Sequence, residues 1–148
     1  MKFALIGLAL LAALPAHAQF RKPEDAVRYR QSVMNVMGNH FYFRIGAMAN
    51  GRIPFDAKAA QESAEVVAVM AKLPWGAFPP DSNGIGRTDA KPAVWTEQAK
   101  FKDLADKMQG EVVKLQAAAR TGDLEAIKTA YRATGQSCKA CHDAFTSQ

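Results

Sequence analysis

Residues 123–145, DLEAIKTAYRATGQSCKACHDAF, decide the fold. Within them Leu124, Ile127, Tyr131, Thr134, Cys138, Cys141 and Phe145 recur at spacings of three and four. That period gathers side chains on one face of an α-helix, so the segment reads as a helix whose buried stripe includes both cysteines. Asp123 stands where an N-cap carboxylate belongs, and Gly122 where the preceding helix should end.

Working back from this helix, Trp95, Phe101, Leu104, Met108, Val112 and Leu115 trace another stripe. It predicts one helix from Pro92 to Thr121. A further helix is expected from Asp56 to Leu73, with Val66, Val67, Met70 and Leu73 inward and Pro74 as its stop. The first begins at Pro23, carries Glu24 and Asp25 at its positive end, and closes at Asn50-Gly51. Its stripe is Val27, Met34, Met37, Phe41, Ile45 and Met48, broken by Arg30, a charge that is costly there unless it reaches an anion or water. Residues 74–92 hold four prolines and three glycines and read as a functional covering loop, with Trp75 and Phe78 packing inward. No stretch alternates with period two and no internal repeat is evident, so the expected fold is all-α, an antiparallel four-helix bundle.

The amino end is different. Lys2 precedes an apolar run from Phe3 to Leu14, and Ala16-His17-Ala18 supplies small residues around a cleavage position. Residues 1–18 are therefore expected to be a signal peptide cut between Ala18 and Gln19, with residues 19–148 forming one periplasmic domain. No run approaches the ~20 apolar residues of a membrane span. Cleavage would remove Lys2 and His17, lowering the net charge of +5 by one and leaving His40 and His142 as the only histidines.

Composition bounds the rest. The 148 residues are 49% hydrophobic and 22% charged, which excludes a disordered or collagen-like chain. Two cysteines cannot make a dense disulfide framework. In an oxidising compartment they need a use of their own.

Cys138-Lys139-Ala140-Cys141-His142 is C-x-x-C-H, the attachment sequence for c-type haem. Residues three apart on a helix share a face, so both thiols can form thioethers along one porphyrin edge while His142 is offered to the iron. A C-x-x-C thiol oxidoreductase is a competing reading, but that chemistry sits at a strand-to-helix junction, and no strand is expected here. Zinc needs four ligands, and adjacent Cys141 and His142 suit one tetrahedral ion poorly.

The motif lies so close to the carboxyl end that any sixth iron ligand must come from upstream. With this arrangement the sequence resembles the cytochrome c′ family, the class II c-type cytochromes, over essentially all of 19–148. The resemblance is carried by Gln19-Phe20 with 22–27, by Tyr29-Arg30-Gln31-Ser32, by Leu73-Pro74-Trp75, by 90–95 and by 138–145. It implies one covalent haem c, a homodimer, five-coordinate iron and a crowded apolar distal face. It also implies that Arg30 and Gln31 lie beside the propionates and that Thr88 and Asp89 approach the haem edge. On pattern alone, Arg30 could instead be a snorkelling surface arginine.

By the same resemblance, Met34 lies over the open iron face. A flexible, uncharged side chain there excludes water and anions yet lets NO or CO enter. Its thioether could alternatively ligate the iron, as in the low-spin class II cytochromes resembling c-556, which would make the protein a six-coordinate electron carrier. The Tyr29-Arg30-Gln31 and Trp75 segments favour the five-coordinate form. Met37 is expected to pack, and His40, six residues beyond Met34, is turned away from the iron. Many relatives carry a basic residue four after the haem histidine, and this chain has Thr146. No catalytic constellation is visible, so the expectation is a gas-binding, electron-exchanging protein with an unidentified redox partner, and not an enzyme. The charge of +5, reduced by one on cleavage and offset by about two propionates, leaves no case for nucleic acid or membrane binding.

Overall fold

The computed structural model describes residues 19–147. The proposed export segment, residues 1–18, lies outside the described residues. Helix α1 runs Pro23–Gly38 and passes without a break into a π-helical segment, Asn39–Ile45, and then α2, Gly46–Ala49. α3 spans Ala57–Met70, α4 Ala93–Thr96, α5 Gln98–Thr121 and α6 Leu124–Phe145. The four rods, 23–49, α3, α5 and α6, make a four-helix bundle in which α6 packs chiefly on α5, and α3 on α5 and the π segment.

The expected boundaries hold where caps specify them. Asp56 accepts from the Ala59 N–H at 3.0 Å, and Asp123 accepts from Glu125 N and Ala126 N to open α6. Gly51 and Gly122 take the left-handed conformation that ends their helices, with φ of +69° and +71°. On α6 the predicted stripe is the buried one: Ile127, Thr134 and Phe145 are fully enclosed.

Three expectations need correction. The first rod is not a uniform α-helix. Through 39–45 it widens into i→i+5 bonding, with Gly46 N–H donating to the Phe41 carbonyl. The wider turn keeps Phe41 and Ile45 buried, leaves Tyr42 half-exposed and turns Phe43 outward. Such segments are frequent at functional sites and have no propensity signature. Gly46 follows immediately, and a Cβ there would fall 2.5 Å from Tyr131 Oη, so the missing side chain lets α6 cross close.

The second correction is the inward face of α3. Its enclosed residues are mainly small: Ala60, Ser63, Ala64, Val67 and Ala68. Val66 and Met70 are only partly covered, and Leu73, beyond the helix end, is 39% exposed. A stripe chosen by side-chain size overlooks a face on which alanines permit close approach.

The third is the helix predicted from Pro92. It breaks at Glu97, whose φ of −114° and ψ of 44° leave the helical region. Trp95 Nε1 donates to the carbonyls of Phe78 and Pro79 at 3.1 and 3.0 Å, so the short α4 follows the covering loop, not α5. The loop itself packs inward as expected. It forms two 3-10 turns, Pro74–Ala77 and Pro80–Ser82, and both Ala77 and Ser82 are fully buried.

Candidate functional site

A slot opens between α1, the covering loop and the end of α6. Its larger compartment has a volume of about 250 Å³ and its deeper one about 70 Å³. Cys141 lines the first and Cys138 the second, so the two thiols of the C-x-x-C pair border adjoining compartments. Met34 from α1 and His142 from α6 are the residues common to both compartments. The α1 and α6 faces whose residues the sequence singled out therefore meet across this slot.

Cys138 is partly buried against the core, and burial, followed by the neighbouring Cys141, pushes its thiol up to about 11. Cys141 is raised by burial alone. No disulfide joins the two. Tyr42, on the wall of the deeper compartment, is also raised, first by burial and then by Cys138 and Tyr131. The apolar wall of the larger compartment includes Trp75, Phe78, Phe101 and Phe145. The Phe101 ring stands edge-on to Trp75, Phe78 and Phe145 at centroid distances of 5.7, 5.0 and 5.2 Å. These contacts make one rigid aromatic surface.

Arg30 is 3% exposed and so is not a snorkelling surface arginine. Its Nη1 donates to the Ala77 carbonyl at 2.8 Å and to Ser82 Oγ at 3.0 Å, and Nη2 to Thr88 Oγ1 at 3.4 Å. The guanidinium lies 4.6 Å from the Phe78 ring centroid and 5.8 Å from that of Trp95. Desolvation lowers its pKa. All its hydrogen-bond partners among the described residues are neutral, so the slot is bordered by a buried cation with room for an anionic group. Gln31, exposed on the same turn, donates through Nε2 to the Arg87 carbonyl at 2.6 Å. Thr88 and Asp89 also line the larger compartment.

His142 stands in the last turn of α6, its carbonyl accepting from Thr146 N and Thr146 Oγ1, each at 2.8 Å. Thr146 thus caps the helix at the position where a basic residue was a familiar alternative. Met37 lines the deeper compartment, whereas His40 borders neither, in keeping with their expected roles as packing and off-site residues. Ser82, a buried partner of Arg30, was not legible in the sequence, because nothing local marks a loop serine as the acceptor of an arginine 52 residues away. Phe101 was assigned to the bundle core and also serves as a wall of the slot.

The donor set suits a covalent haem. Two thiols on one helix face, a histidine beside them, an apolar aromatic-walled space and a buried cation at its edge are the groups that such a macrocycle and its carboxylates require.

A family model described as Cytochrome C' matches residues 25–146. A cytochrome c' of Rubrivivax gelatinosus is 50% identical over 127 residues, which span 86% of this chain and 98% of that protein. The crystal structure of cytochrome c' from the same organism aligns with a TM-score of 0.83 at 49% identity, covering 87% of this chain and 100% of that one. Two structures of leucine-substituted variants of cytochrome c prime from Alcaligenes xylosoxidans, one a nitric oxide complex and one with carbon monoxide bound, align equally well. Each gives a TM-score of 0.81 at 42% identity and covers 88% of this chain and 100% of the other. Fold and sequence agree along nearly the whole described length, and the chain belongs to the cytochrome c′ family.

Proposed function

We propose that the protein is an exported monohaem c-type cytochrome that binds NO and CO at a five-coordinate, histidine-ligated iron and exchanges electrons with a redox partner. The observation that carries this reading is the convergence of Cys138, Cys141 and His142 with Met34 on one slot. Bound there, the haem would supply a redox-active iron with an open position for a diatomic ligand.

The chain's own residues divide the remaining work. Cys138 and Cys141 would hold the group through thioethers, and His142 would ligate its iron. Arg30 offsets propionate charge in a position where water is excluded, and Gln31 fastens the covering loop beside it. Met34, which borders both compartments, would stand beside the open position with an apolar, flexible side chain. Such a side chain would disfavour water and anions there while yielding to a small neutral gas. Nitric oxide and carbon monoxide complexes of related cytochromes c prime support this choice of ligands.

A second reading rests on the same residue. Because Met34 borders both compartments together with His142, its sulfur could serve as sixth ligand and make the protein a low-spin electron carrier. For assembly we propose a homodimer. Val36, Tyr42, Phe43 and Ile53 form exposed apolar surface on the first rod and the turn after it, with Phe43 69% exposed. No catalytic role is assigned.

Denaturing mass spectrometry tests attachment. A mature chain beginning at Gln19 and heavier by one haem is expected, whereas a chain with two free thiols contradicts the reading. NO titration of the ferrous protein should saturate at one equivalent, and a spectrum indifferent to NO would remove the gas-binding function.

A further inference from the structure

The last four carbonyls of any α-helix lack partners within it. In α6 these belong to His142, Asp143, Ala144 and Phe145, the turn that carries the proposed iron ligand. Thr146 satisfies the first. Two of the others are met from across the mouth of the slot by a single residue: Lys91 N donates to the Phe145 carbonyl at 2.8 Å, and Lys91 Nζ to the Asp143 carbonyl at 3.1 Å. An ammonium group at a helix C-terminus also sits favourably against the negative end of the dipole.

Lys91 is itself held. Ala90 and Thr146 form an isolated antiparallel bridge, and Asp89 O accepts from Ser147 N at 2.8 Å and Ser147 Oγ at 3.1 Å. The other end of the segment is fastened to α1 through Gln31 to Arg87 and Arg30 to Thr88. Residues 87–91 therefore span the slot from the rod bearing Met34 to the turn bearing His142.

We propose that Lys91 is a positioning residue for His142, capping the terminal turn of α6 from the covering loop and thereby fixing how the imidazole meets the iron. Lys91 touches neither the iron nor a gaseous ligand; it acts through the backbone of the turn. The proposal rests on the reading of His142 as the proximal ligand. It also accounts for how this chain secures the proximal end with Thr146 where a basic side chain is absent.

The test uses the haem-loaded protein and the variants Lys91→Met, which keeps the stem and the backbone bond to Phe145 but loses the side-chain donor to Asp143, and Lys91→Arg, which keeps a side-chain donor. Hydrogen exchange of the 142–147 amides should quicken about 5-fold in Lys91→Met, as for loss of one ordinary hydrogen bond. Exchange in 124–138 should stay unchanged. The iron–histidine stretching band of the ferrous protein should shift in the same variant, and Lys91→Arg should restore both signals. Unchanged exchange and an unmoved band in Lys91→Met would overturn the proposal. A general acceleration along α6 would also overturn it, because it would mark a merely structural effect. If the unaltered protein shows no iron–histidine band, the ligand reading fails, and exchange at 142–147 alone decides whether Lys91 caps the turn.

Discussion

The Arg30 guanidinium lies 4.6 Å from the centre of the Phe78 ring and donates to the carbonyl of neighbouring Ala77. One buried cation on α1 thus fastens the covering loop over the slot. Its other partners, Ser82 and Thr88, lie further along the same loop.

Arg30→Met should loosen that loop. The substitution keeps much of the apolar volume but strips the donors from Ala77 O and Ser82 Oγ, a loss of about 2–3 kcal/mol for a charged hydrogen-bonded group. Thermal unfolding of the haem-loaded protein should shift down accordingly, with faster proteolysis within 78–90. Arg30→Lys should recover less than half, because one ammonium cannot serve the separate acceptors that the planar fork reaches. Full recovery by lysine would contradict this role.

Gly46 is required by Tyr131. A Cβ at position 46 would approach Tyr131 Oη to 2.5 Å and Cζ to 2.9 Å, while the tyrosine ring is packed against Phe41 at 4.6 Å. Gly46→Ala should destabilise by about 1–3 kcal/mol, the range for overpacking. Tyr131→Phe in the same chain should return part of that loss by removing the hydroxyl. A denaturant midpoint unmoved by Gly46→Ala would show that the rods separate freely there.

The haem-free and haem-loaded chains should differ in alkali. Cys138 in the free chain has its pKa pushed up to about 11 from an ordinary value of 9.0. Between these values the folded state holds a proton that the unfolded state has lost, so stability is fully present below about pH 9 and falls as pH rises towards 11. The loss reaches about 2 kcal/mol at the upper end. A thioether does not titrate, so the loaded chain should lack this decline. Urea midpoints at pH 8, 10 and 11 measure it, and equal falls in both forms would exclude thioether formation at Cys138.

Much of this was legible in the chain, for identifiable reasons. Asp56, Asp123, Gly51 and Gly122 mark helix ends by local chemistry, and the 124–145 stripe marks its own buried face. The thiols and His142 were found because their spacing serves one chemical purpose. The π segment was invisible, since hydrogen-bond register leaves no compositional trace. The break at Glu97 was equally hidden, because it depends on Trp95 reaching carbonyls 16 and 17 residues away. The alanine face of α3 escaped a reading weighted towards large side chains, and the capping of α6 by Lys91 depends on tertiary contact over 52 residues.

Met34 should govern entry of the gas. Its side chain borders both compartments, so Met34→Ala joins their space and removes the group that an incoming ligand must displace. The CO association rate should rise at least about 10-fold, equivalent to about 1.4 kcal/mol off the barrier. Stopped-flow mixing with the ferrous protein measures it. An unchanged rate would end the gating role.

The proposed site is a covalent haem held by Cys138 and Cys141, ligated by His142 and left open beside Met34. The optical spectrum of the reduced protein, recorded before and after addition of CO, tests it most directly. A five-coordinate iron gives broad high-spin bands that sharpen on CO binding. Sharp low-spin bands indifferent to CO would assign the sixth position to Met34, and a spectrum without haem absorption would rule out haem attachment altogether.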